Sequence, residues 1–250
     1  MPAGAERRLR LLRDPEGPAA WNMAVDDALL ELARVPTLRL YGWRPHAVSL
    51  GWFQPWADFA GLPPGTPVVR RATGGGAIHH GDEITFSLAL DTEQLPGDVG
   101  AGYALLHDAV QEALADCGVP CERLAAGHAQ RARPSSPWCF ADPGRDDLVT
   151  ERGKLLGSAQ RRVRTDHPRV LHHGSLVLRA PPLTPFVAAV ADVRPVDAAL
   201  RQQLAERLTS RFAEVLGLEP FPGELTAGEL ALATRLQHER HEDPARLRRR

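Results

Sequence analysis

The sequence predicts one α+β domain built on a mixed or antiparallel sheet. Three stretches carry apolar residues at the three- and four-residue spacing of a helix, and short runs with strand-like alternation lie between them. The composition supports a folded domain, because 43% of the 250 residues are hydrophobic and 24% are charged. A chain of this length buries a sizeable core, and its composition excludes disordered, collagenous and coiled-coil proteins.

The first half of the chain predicts one long helix among short strands. A strand over 9–13 leads into a turn at 14–18, and a helix over 19–34 follows, with Val25 and Leu29 on its apolar face. Further strands are predicted over 37–42, 46–53, 67–71 and 83–91, and a loop rich in glycine and proline over 54–66.

The second half predicts further helices and a strand meander. Leu106, Val110 and Leu114 share one face of a helix over 101–117, which Gly118 ends. The remaining segments are predicted as an irregular stretch over 127–146, strands of a meander over 147–178, helices over 196–216 and 226–240, and a frayed Arg-rich tail over 241–250.

Charge and cysteine content exclude several classes of protein. Thirty Lys and Arg residues oppose 31 Asp and Glu residues, and the net charge of -1 does not fit a polycation that binds nucleic acid. Three cysteines are too few for a disulfide framework, so we expect a reducing, cytoplasmic location. We expect no membrane partner and no signal peptide, because no apolar run approaches the ~20 residues of a membrane span.

A glycine-rich loop between two predicted strands is the first candidate site. Consecutive glycines expose backbone N–H groups and let a ligand approach closely, and arginine forks bind carboxylate or phosphate. The loop is neither a P-loop nor a dinucleotide fingerprint, because no Gly-Lys-Ser/Thr follows and the glycine spacing differs. A flexible hairpin loop is the alternative. The segment consists of Arg70, Arg71, Ala72, Thr73, Gly74, Gly75, Gly76, Ala77, Ile78, His79 and His80.

The second candidate site surrounds Lys154, the only lysine of the chain. On a strand, Lys154, Leu156 and Ser158 share a face. Gly157 lies between them as a small residue at which we expect a ligand to approach. A lysine in this position supplies positive charge to a carbonyl or phosphate oxygen. The alternative is a lysine that extends from a strand end into solvent.

Cys139 is the third candidate. Cys117 falls on the apolar face of a helix and is predicted to serve packing, while Cys121 has no evident polar surroundings. Cys139 lies in the irregular stretch before the Lys154 strand, where a thiol is free to face a cavity. A nearby cation stabilises the reactive thiolate form of a cysteine.

The sequence predicts no metal site. His79 and His80 are neighbours, as are His172 and His173, and neighbouring strand residues point to opposite faces. Neither pair therefore chelates one ion, and no Cys-x-x-Cys motif indicates structural zinc.

Together these segments resemble the lipoate–protein ligase and octanoyltransferase family, which is related to the biotin–protein ligases. Residues 70–80 are similar to the family signature R-R-x-T-G-G-G-A-V-x-H, with Ile78 in place of the valine. Residues 83–87 are similar to E-L-T-Y-S, residues 153–160 to G-K-K-I-x-G-S-A-Q, and residues 173–176 to H-G-S-L.

The resemblance extends over about residues 9–240 and implies the fold. It implies a mixed, largely antiparallel sheet flanked by helices, as a single catalytic domain over 1–250 with a core of about 9–240 and an Arg-rich tail of about 241–250. It also implies that the acyl group binds beside the triple-glycine loop. The substrate-binding residues implied by the matching motifs are Arg70, Thr73, Gly74, Gly75, Gly76, Ala77, His80, Gly157, Ser158, Ala159, His173 and Gly174.

Two chemistries of the family compete for this sequence. Cys139-Phe140 resembles the cysteine segment of octanoyltransferases that carry the ligase-like glycine signature, and this favours octanoyl transfer with no cofactor. The alternative is an ATP-dependent lipoate–protein ligase that acts through lipoyl-AMP and needs ATP and Mg. A non-catalytic acyl-binding relative is a third interpretation.

The transferase interpretation implies roles for two catalytic residues. Cys139 attacks the thioester of octanoyl–acyl carrier protein, and Lys154 stabilises the thiolate and the oxyanion together with backbone N–H groups near Gly75 and Gly76. Arg70 is expected to orient the carbonyl or the phosphopantetheine arm. The acceptor is a lysine of a lipoyl-domain protein, either the glycine-cleavage carrier or a dehydrogenase lipoyl domain. Arg161, Arg162 and Arg164 either contact an acidic carrier protein or form a solvated strand edge.

Overall fold

The computed structural model describes residues 7–124, 136–164 and 166–248. The helices are α1 (Ala19–Leu32), α2 (Val99–Asp116), α3 (Ala198–Leu216), α4 (Ala227–Leu236) and α5 (Pro244–Leu247). The strands are β1 (Arg8–Gly17), β2 (Thr37–Trp43), β3 (Ala47–Leu50), β4 (Val68–Arg70), β5 (Ile78–His80), β6 (Glu83–Asp91), β7 (Glu122–Arg123), β8 (Leu148–Thr150), β9 (Gly153–Val163), β10 (Arg169–Val177) and β11 (Glu219–Pro222).

Eight strands form a large mixed sheet in the order β11-β1-β2-β6-β10-β9-β8-β7. The pairs β1–β11 and β1–β2 are parallel, whereas the pairs from β2 through β7 are antiparallel. A smaller sheet has the order β4-β3-β5, with β3 parallel to β4 and antiparallel to β5. The predicted α+β class with a mixed, largely antiparallel sheet is confirmed.

Helices cover both faces of the large sheet. Helices α2 and α3 pack with residues such as Phe86 and Leu88 in one apolar cluster, and Phe212 lies 4.9 Å from Phe86, ring centre to ring centre. Helices α1 and α4 pack on the other face, where Leu29 and Leu171 belong to a second cluster. Full burial of such a side chain stabilises the fold by about 1.5–3 kcal/mol.

Polar residues at the helix ends explain where the predicted helices begin and stop. The Asp98 side chain accepts a hydrogen bond from the Ala101 N–H at the start of α2, and Asp197 does the same for Leu200 at the start of α3. Gly217 ends α3 with a φ of +62°. These signals are local, so the sequence pattern locates the long helices well.

The edges of the sheets differ from the sequence prediction. The turn predicted at 14–18 is instead the end of β1, because Gly17 still pairs with Trp43 on β2. The strand predicted over 46–53 is limited to β3 and lies in the small sheet. Strand β11 has the sequence Glu-Pro-Phe-Pro, and such prolines are tolerated only because this is an edge strand.

The C-terminal tail, predicted to be frayed, packs against the fold over its described residues. The π-helical turn Gln237–His241 and α5 follow α4, and His241 is buried. The Leu247 carbonyl accepts a hydrogen bond from Arg70 at 2.7 Å. The irregular stretch predicted over 127–146, the turn that includes Thr165 and the tail that includes Arg249 and Arg250 lie partly outside the described residues. The assignment of residues 1–250 to one catalytic domain stays a prediction.

Within the described ranges, no helix is long and apolar enough to cross a membrane.

Candidate active site

Cys139 and Lys154 lie together at the centre of the site. The Lys154 Nζ atom is 3.3 Å from the Cys139 Sγ atom and 3.4 Å from the Cys139 carbonyl oxygen. On its other side the Lys154 ammonium pairs with the Asp147 carboxylate at 2.8 Å. The Phe140 ring lies below the ammonium, 5.1 Å from Nζ to the ring centre. The Lys154 ammonium thus contacts both the Cys139 thiol and the Asp147 carboxylate.

Lys154 is held inside the protein and does not extend into solvent. Its residue is only 3% exposed, which excludes the alternative of a lysine at a solvated strand end. A Cβ atom on Gly157 would lie 2.4 Å from Lys154 Cε and 2.6 Å from Nζ. The group that approaches Gly157 is therefore the Lys154 side chain itself. Gly157 also lines the slot, and the expectation that a ligand approaches it stays a prediction.

Electrostatic interactions keep Lys154 charged. Burial alone would lower the pKa of Lys154, but the Cys139 and Asp147 charges outweigh burial and raise that pKa above its usual value. Asp147 is fixed in turn, since its carboxylate accepts a hydrogen bond from the Gly144 N–H at 2.7 Å. The Lys154 ammonium is therefore in position to stabilise negative charge that forms beside it.

The glycine loop fixes the backbone of Cys139. The Ala77 N–H donates to the Pro137 carbonyl, and the Cys139 N–H donates to the Ala77 carbonyl, both at 2.8 Å. Gln54 donates from Nε2 to the same Pro137 carbonyl at 2.8 Å. A Cβ atom on Gly76 would lie 2.7 Å from the Cys139 nitrogen, so a glycine is needed there.

Arg71, and not Arg70, faces the site. The Arg71 Nη2 group donates to the carbonyls of Gly74 at 2.8 Å and Gly76 at 2.7 Å. Burial lowers the pKa of Arg71 to about 10, while the negative charge of Cys139 opposes that effect. Arg71 therefore stays cationic near the thiolate and shapes the loop.

Arg70 is committed to backbone carbonyls on the other side of its strand. Its guanidinium donates to the carbonyls of Gly51 at 2.9 Å, Gln54 at 2.7 Å and Leu247 at 2.7 Å. It thus connects the 51–54 turn to the C-terminal segment. The expectation that Arg70 orients the substrate carbonyl is not reflected in this placement, and Arg71 takes the position beside the glycines.

An open cleft and a narrow slot meet at Cys139. The cleft encloses about 1150 Å³. The slot encloses about 40 Å³, and the surface it exposes is mostly apolar. Gly75, Cys139 and Ser158 line both spaces. Cys139 therefore borders both the open cleft and the mostly apolar slot.

Two buried histidines line the slot, and each contacts a carboxylate behind it. His80 bonds the Glu83 carboxylate through Nδ1 at 3.0 Å and the Ser49 hydroxyl through Nε2 at 2.7 Å. Since the carboxylate only accepts, Nδ1 of His80 carries the proton. Burial lowers the pKa of His80, with Glu83 opposing, which is consistent with a neutral ring.

His173 has a matching arrangement. It contacts Thr73 Oγ1 through Nε2 at 2.8 Å and Asp26 Oδ2 through Nδ1 at 3.4 Å. Thr73 also accepts from Arg71 Nε at 3.2 Å. Thr73 thus supports the loop and His173 from behind. Burial would raise the pKa of Asp26, but the bonds to His173 and the charge of Arg39 lower it.

Most of the site residues that the sequence and the resemblance predict lie together in these spaces. Ala77 lines a separate small cavity beside Phe140, and Gly174 avoids a clash with the Phe86 ring, 2.4 Å from where its Cβ would be. The predicted residues that line the cleft or the slot are Gly74, Gly75, Gly76, His80, Cys139, Lys154, Gly157, Ser158, Ala159, His173 and Gly174.

His107 is a site residue that sequence reasoning missed. It is 1% exposed on α2, and its Nε2 atom lies 2.6 Å from the Ser158 hydroxyl, while Nδ1 contacts the Asp146 carbonyl. Its position next to Leu106 on the apolar face of the helix is typical of a core residue. The only signal was the polarity of this residue within an apolar helix face.

The other predicted residues lie outside the two spaces. Burial raises the pKa of Cys117, and it raises the pKa of Cys121 to about 11, so both thiols stay protonated. Arg162 donates to the carbonyls of Pro96 and Gly97, each at 3.1 Å, and holds that loop. In the described ranges, no three His, Cys, Asp or Glu side chains form a group that could hold a metal ion.

Comparisons with known proteins agree with this geometry. The sequence profile described as lipoyl protein ligase A/B catalytic domain matches residues 18–210. The chain is 35% identical to a protein of Kyrpidia tusciae named octanoyltransferase LipM, covering 91% of this chain and 94% of that protein. It is 31% identical to the protein of the same name in Brevibacillus brevis, covering 89% of this chain and 92% of that protein.

Solved structures share the fold. A lipoate-protein ligase A bound with ATP superimposes with a TM-score of 0.74 at 23% identity, covering 98% of this chain and 99% of the other. The bi-partite lipoate protein ligase of Thermoplasma acidophilum gives a TM-score of 0.73 at 20% identity, covering 98% and 97%. The profile match covers most of the chain, and with these relatives it shows that the chain belongs to the lipoyl protein ligase A/B catalytic domain family.

Proposed function

We propose that this protein is an octanoyltransferase. It moves an octanoyl group from acyl carrier protein to Cys139 as a thioester and then to a lysine of a lipoyl-domain protein, in lipoate biosynthesis. The observation that carries the proposal is the 3.3 Å contact between Cys139 Sγ and the buried Lys154 ammonium, where cleft and slot meet. The relatives at 31% and 35% identity carry the name octanoyltransferase LipM.

The first half-reaction uses the charge of Lys154. The Cys139 thiolate attacks the thioester carbonyl of the donor, and the carrier's thiolate leaves. Lys154 and Arg71 are cations beside the sulfur and remain charged throughout, so both oppose protonation of the nucleophile. They also stabilise negative charge as it passes from sulfur to the carbonyl oxygen.

Backbone N–H groups of the glycine loop are the proposed oxyanion donors. A trans peptide directs its C=O and N–H to opposite sides. Arg71 holds the Gly74 carbonyl, so the Gly75 N–H points away from that guanidinium. The Gly75 carbonyl faces Gly51, so the Gly76 N–H points away from Gly51. Both glycines line the cleft beside Cys139.

The two spaces suit the two parts of an acyl thioester. The slot offers an apolar surface to the alkyl chain, with Met23, Ile78 and Ala159 among its walls. The cleft is wide enough for the carrier's arm, and later for the lysine of the acceptor protein. Because Cys139 borders both, an acyl group on its sulfur reaches the slot while its carbonyl remains accessible from the cleft.

The charges of the cleft disfavour the ATP-dependent alternative. Among the described residues that line it, four carboxylates stand against two cations, and both cations already pair with carboxylates of this set, Lys154 with Asp147 and Arg145 with Asp146. A polyanion such as ATP is repelled by such a surface, whereas a protonated lysine is attracted to it. The four carboxylates belong to Asp58, Asp142, Asp146 and Asp147, and the cations to Arg145 and Lys154.

A paired transfer assay tests the proposal. Purified protein is incubated with an isolated lipoyl domain and either octanoyl–acyl carrier protein without ATP, or free octanoate or lipoate with ATP and Mg. The proposal predicts modification of the lipoyl domain in the first mixture and none in the second. Modification only in the second mixture would establish the ligase alternative and contradict the proposal.

A further inference from the structure

The second half-reaction needs a base that the Cys139–Lys154 pair does not supply. An attacking amine must lose a proton as it forms the amide. Lys154 keeps its 2.8 Å ion pair with the Asp147 carboxylate, and its position 3.3 Å from the sulfur suits it to the departing thiolate and not to the amine proton. His80 and His173 line the slot but not the cleft, so they lie on the side of the acyl chain.

Ser158 is the hydroxyl that borders both the cleft and the slot beside Cys139. It follows Lys154 by four residues on β9, and both side chains point to the same face of the strand. Its Oγ atom lies 2.6 Å from the Nε2 atom of His107. A group that enters the cleft towards an acyl-Cys139 therefore meets this hydroxyl.

The hydrogen bonds of His107 define its tautomer. The Asp146 carbonyl on the Nδ1 side can only accept, so Nδ1 carries the proton. Nε2 then presents its lone pair, and the Ser158 hydroxyl donates to it. The Ser158 oxygen keeps its own lone pairs for a donor in the cleft. This is the arrangement of a hydroxyl backed by a base.

We propose that Ser158 and His107 form the proton relay of the acyl-transfer step, an inference that rests on the proposed function. The acceptor lysine gives its ammonium proton to solvent as it enters the cleft, and the neutral amine attacks the thioester carbonyl, so that a C–N bond forms and the C–S bond breaks. The sulfur leaves as the Cys139 thiolate, opposite the Lys154 ammonium. One amine proton passes to Ser158 Oγ while the Ser158 proton passes to His107 Nε2. The imidazolium that results keeps its Nδ1–H bond to the Asp146 carbonyl and later loses its proton to solvent.

The surroundings of His107 favour a neutral ring before the reaction. The rings of Tyr103 and His172 pack edge-on against it, at 5.8 Å and 5.9 Å between ring centres. Burial lowers the pKa of His107, and the Asp146 carbonyl and the Asp147 charge oppose that shift while Lys154 adds to it. The relay base is thus ready to accept a proton at neutral pH.

Single-turnover measurements of the two half-reactions test the relay. Wild-type protein, His107→Gln and Ser158→Ala are charged with octanoyl–acyl carrier protein, and the adduct is followed by intact-protein mass spectrometry. An isolated lipoyl domain is then added, and loss of the adduct is timed between pH 6 and 9. His172→Phe is the matched control, because His172 packs on the same ring but lines neither space.

The relay predicts that His107→Gln and Ser158→Ala lose much more in transfer than in adduct formation, because the first half-reaction takes no proton from an amine. It predicts that their transfer to the lipoyl domain is slower by about a hundredfold at pH 7 and recovers as the pH rises, since hydroxide then takes up the proton that the relay no longer accepts. Wild-type protein and His172→Phe transfer rapidly across this range. Hydroxylamine cleaves all adducts equally, which shows that the thioester remains accessible.

Two results would overturn the relay. One is transfer by His107→Gln and Ser158→Ala at the wild-type rate with the wild-type pH profile. The other is an equal loss in both half-reactions, which indicates a purely structural role. Failure of the wild-type protein to form any adduct would instead overturn the proposed function, so the two failures are distinct.

Discussion

A Cβ atom added to Gly76 would lie only 2.7 Å from the backbone nitrogen of Cys139. Real Cβ atoms do not approach a nitrogen this closely. The third glycine of the loop therefore packs directly against the backbone of Cys139, with no room for a side chain. The pair of hydrogen bonds between Ala77 and the 137–139 segment fixes the same contact. The triple-glycine loop and the backbone of Cys139 are thus in direct contact.

The glycine contacts predict a loss of activity without loss of fold. In Gly76→Ala the new methyl group meets backbone atoms of Cys139, and in Gly157→Ala it meets the end of the Lys154 side chain. We expect acylation of Cys139 to fall at least tenfold in each variant, with about 1–3 kcal/mol of overpacking in Gly76→Ala. Gly61→Ala is the matched control, since nothing lies within 4 Å of its Cβ position. Wild-type acylation by Gly76→Ala would contradict the contact.

Substitution of Lys154 is expected to slow acylation of Cys139 more than substitution of Asp147. Lys154→Met removes the ammonium beside Cys139, and we expect the acylation rate to fall by about 10²–10³, as for the loss of one oxyanion-stabilising group. Asp147→Asn keeps the ammonium but removes its 2.8 Å ion pair, so we expect a smaller loss. Alkylation of Cys139 by iodoacetamide at pH 7 should slow in the same order. Equal alkylation rates in all three proteins would contradict the role given to Lys154.

The buried His172 ring is expected to lower the stability of the folded protein in mild acid. Its ring is fully buried beside Phe86 and Tyr103, and within the described part of the chain neither ring nitrogen has a hydrogen-bond partner. Burial holds the pKa of His172 well below 6.5, so between that lowered pKa and 6.5 the unfolded chain binds a proton that the folded protein does not. Stability therefore rises with pH in this window, by up to about 1.4 kcal/mol per pH unit for this group.

Replacement of this ring tests the sign. His172→Phe removes the titration and two unsatisfied nitrogens, so we expect a higher free energy of unfolding below pH 6.5 and a flatter pH dependence, measured by urea denaturation at pH 5, 6 and 7. His46→Phe is a comparison at another histidine outside the cleft and the slot. An unchanged slope in His172→Phe would show that other groups dominate the acid response.

The size of the Met23 side chain is expected to influence which acyl-chain length the protein prefers. The slot is narrow, about 40 Å³, and the flexible Met23 side chain is an adaptable part of its wall. We expect Met23→Ala to raise kcat/KM for a decanoyl donor relative to the octanoyl donor by about tenfold. Met23→Leu, with similar volume, should leave the ratio near the wild-type value. The same ratio in all three proteins would place the chain elsewhere.

Local patterns predicted much of this fold, because the signals that define long helices and central strands are local. Strand β6 has the predicted bounds, since alternation over 83–91 is complete and both of its neighbours are central strands. Strand β11 was not predicted, because two prolines argue against a strand unless its place at the edge is known. Strands β3 and β4 of the small sheet were predicted with longer bounds, whereas β5 was not, because it is only three residues long.

The site was predictable where rare residues carried it. Lys154 is the only lysine of the sequence, and no packing role is evident for Cys139. Both residues were therefore recognisable in the sequence. The contacts of His107 could not be predicted from the sequence, because its partners Asp146 and Ser158 are 39 and 51 residues away along the chain. Likewise only the structure distinguishes Arg71 from Arg70, because adjacent strand residues point to opposite sides.

The central claim is that Cys139 carries the acyl group, and intact-protein mass spectrometry tests it most directly. The protein is mixed with octanoyl–acyl carrier protein in the absence of ATP, alongside Cys139→Ala and the control Cys121→Ala. The account predicts one hydroxylamine-sensitive octanoyl adduct on the wild-type protein and on Cys121→Ala, and none on Cys139→Ala. An adduct that persists in Cys139→Ala, or octanoyl transfer by Cys139→Ala at the wild-type rate, would contradict it.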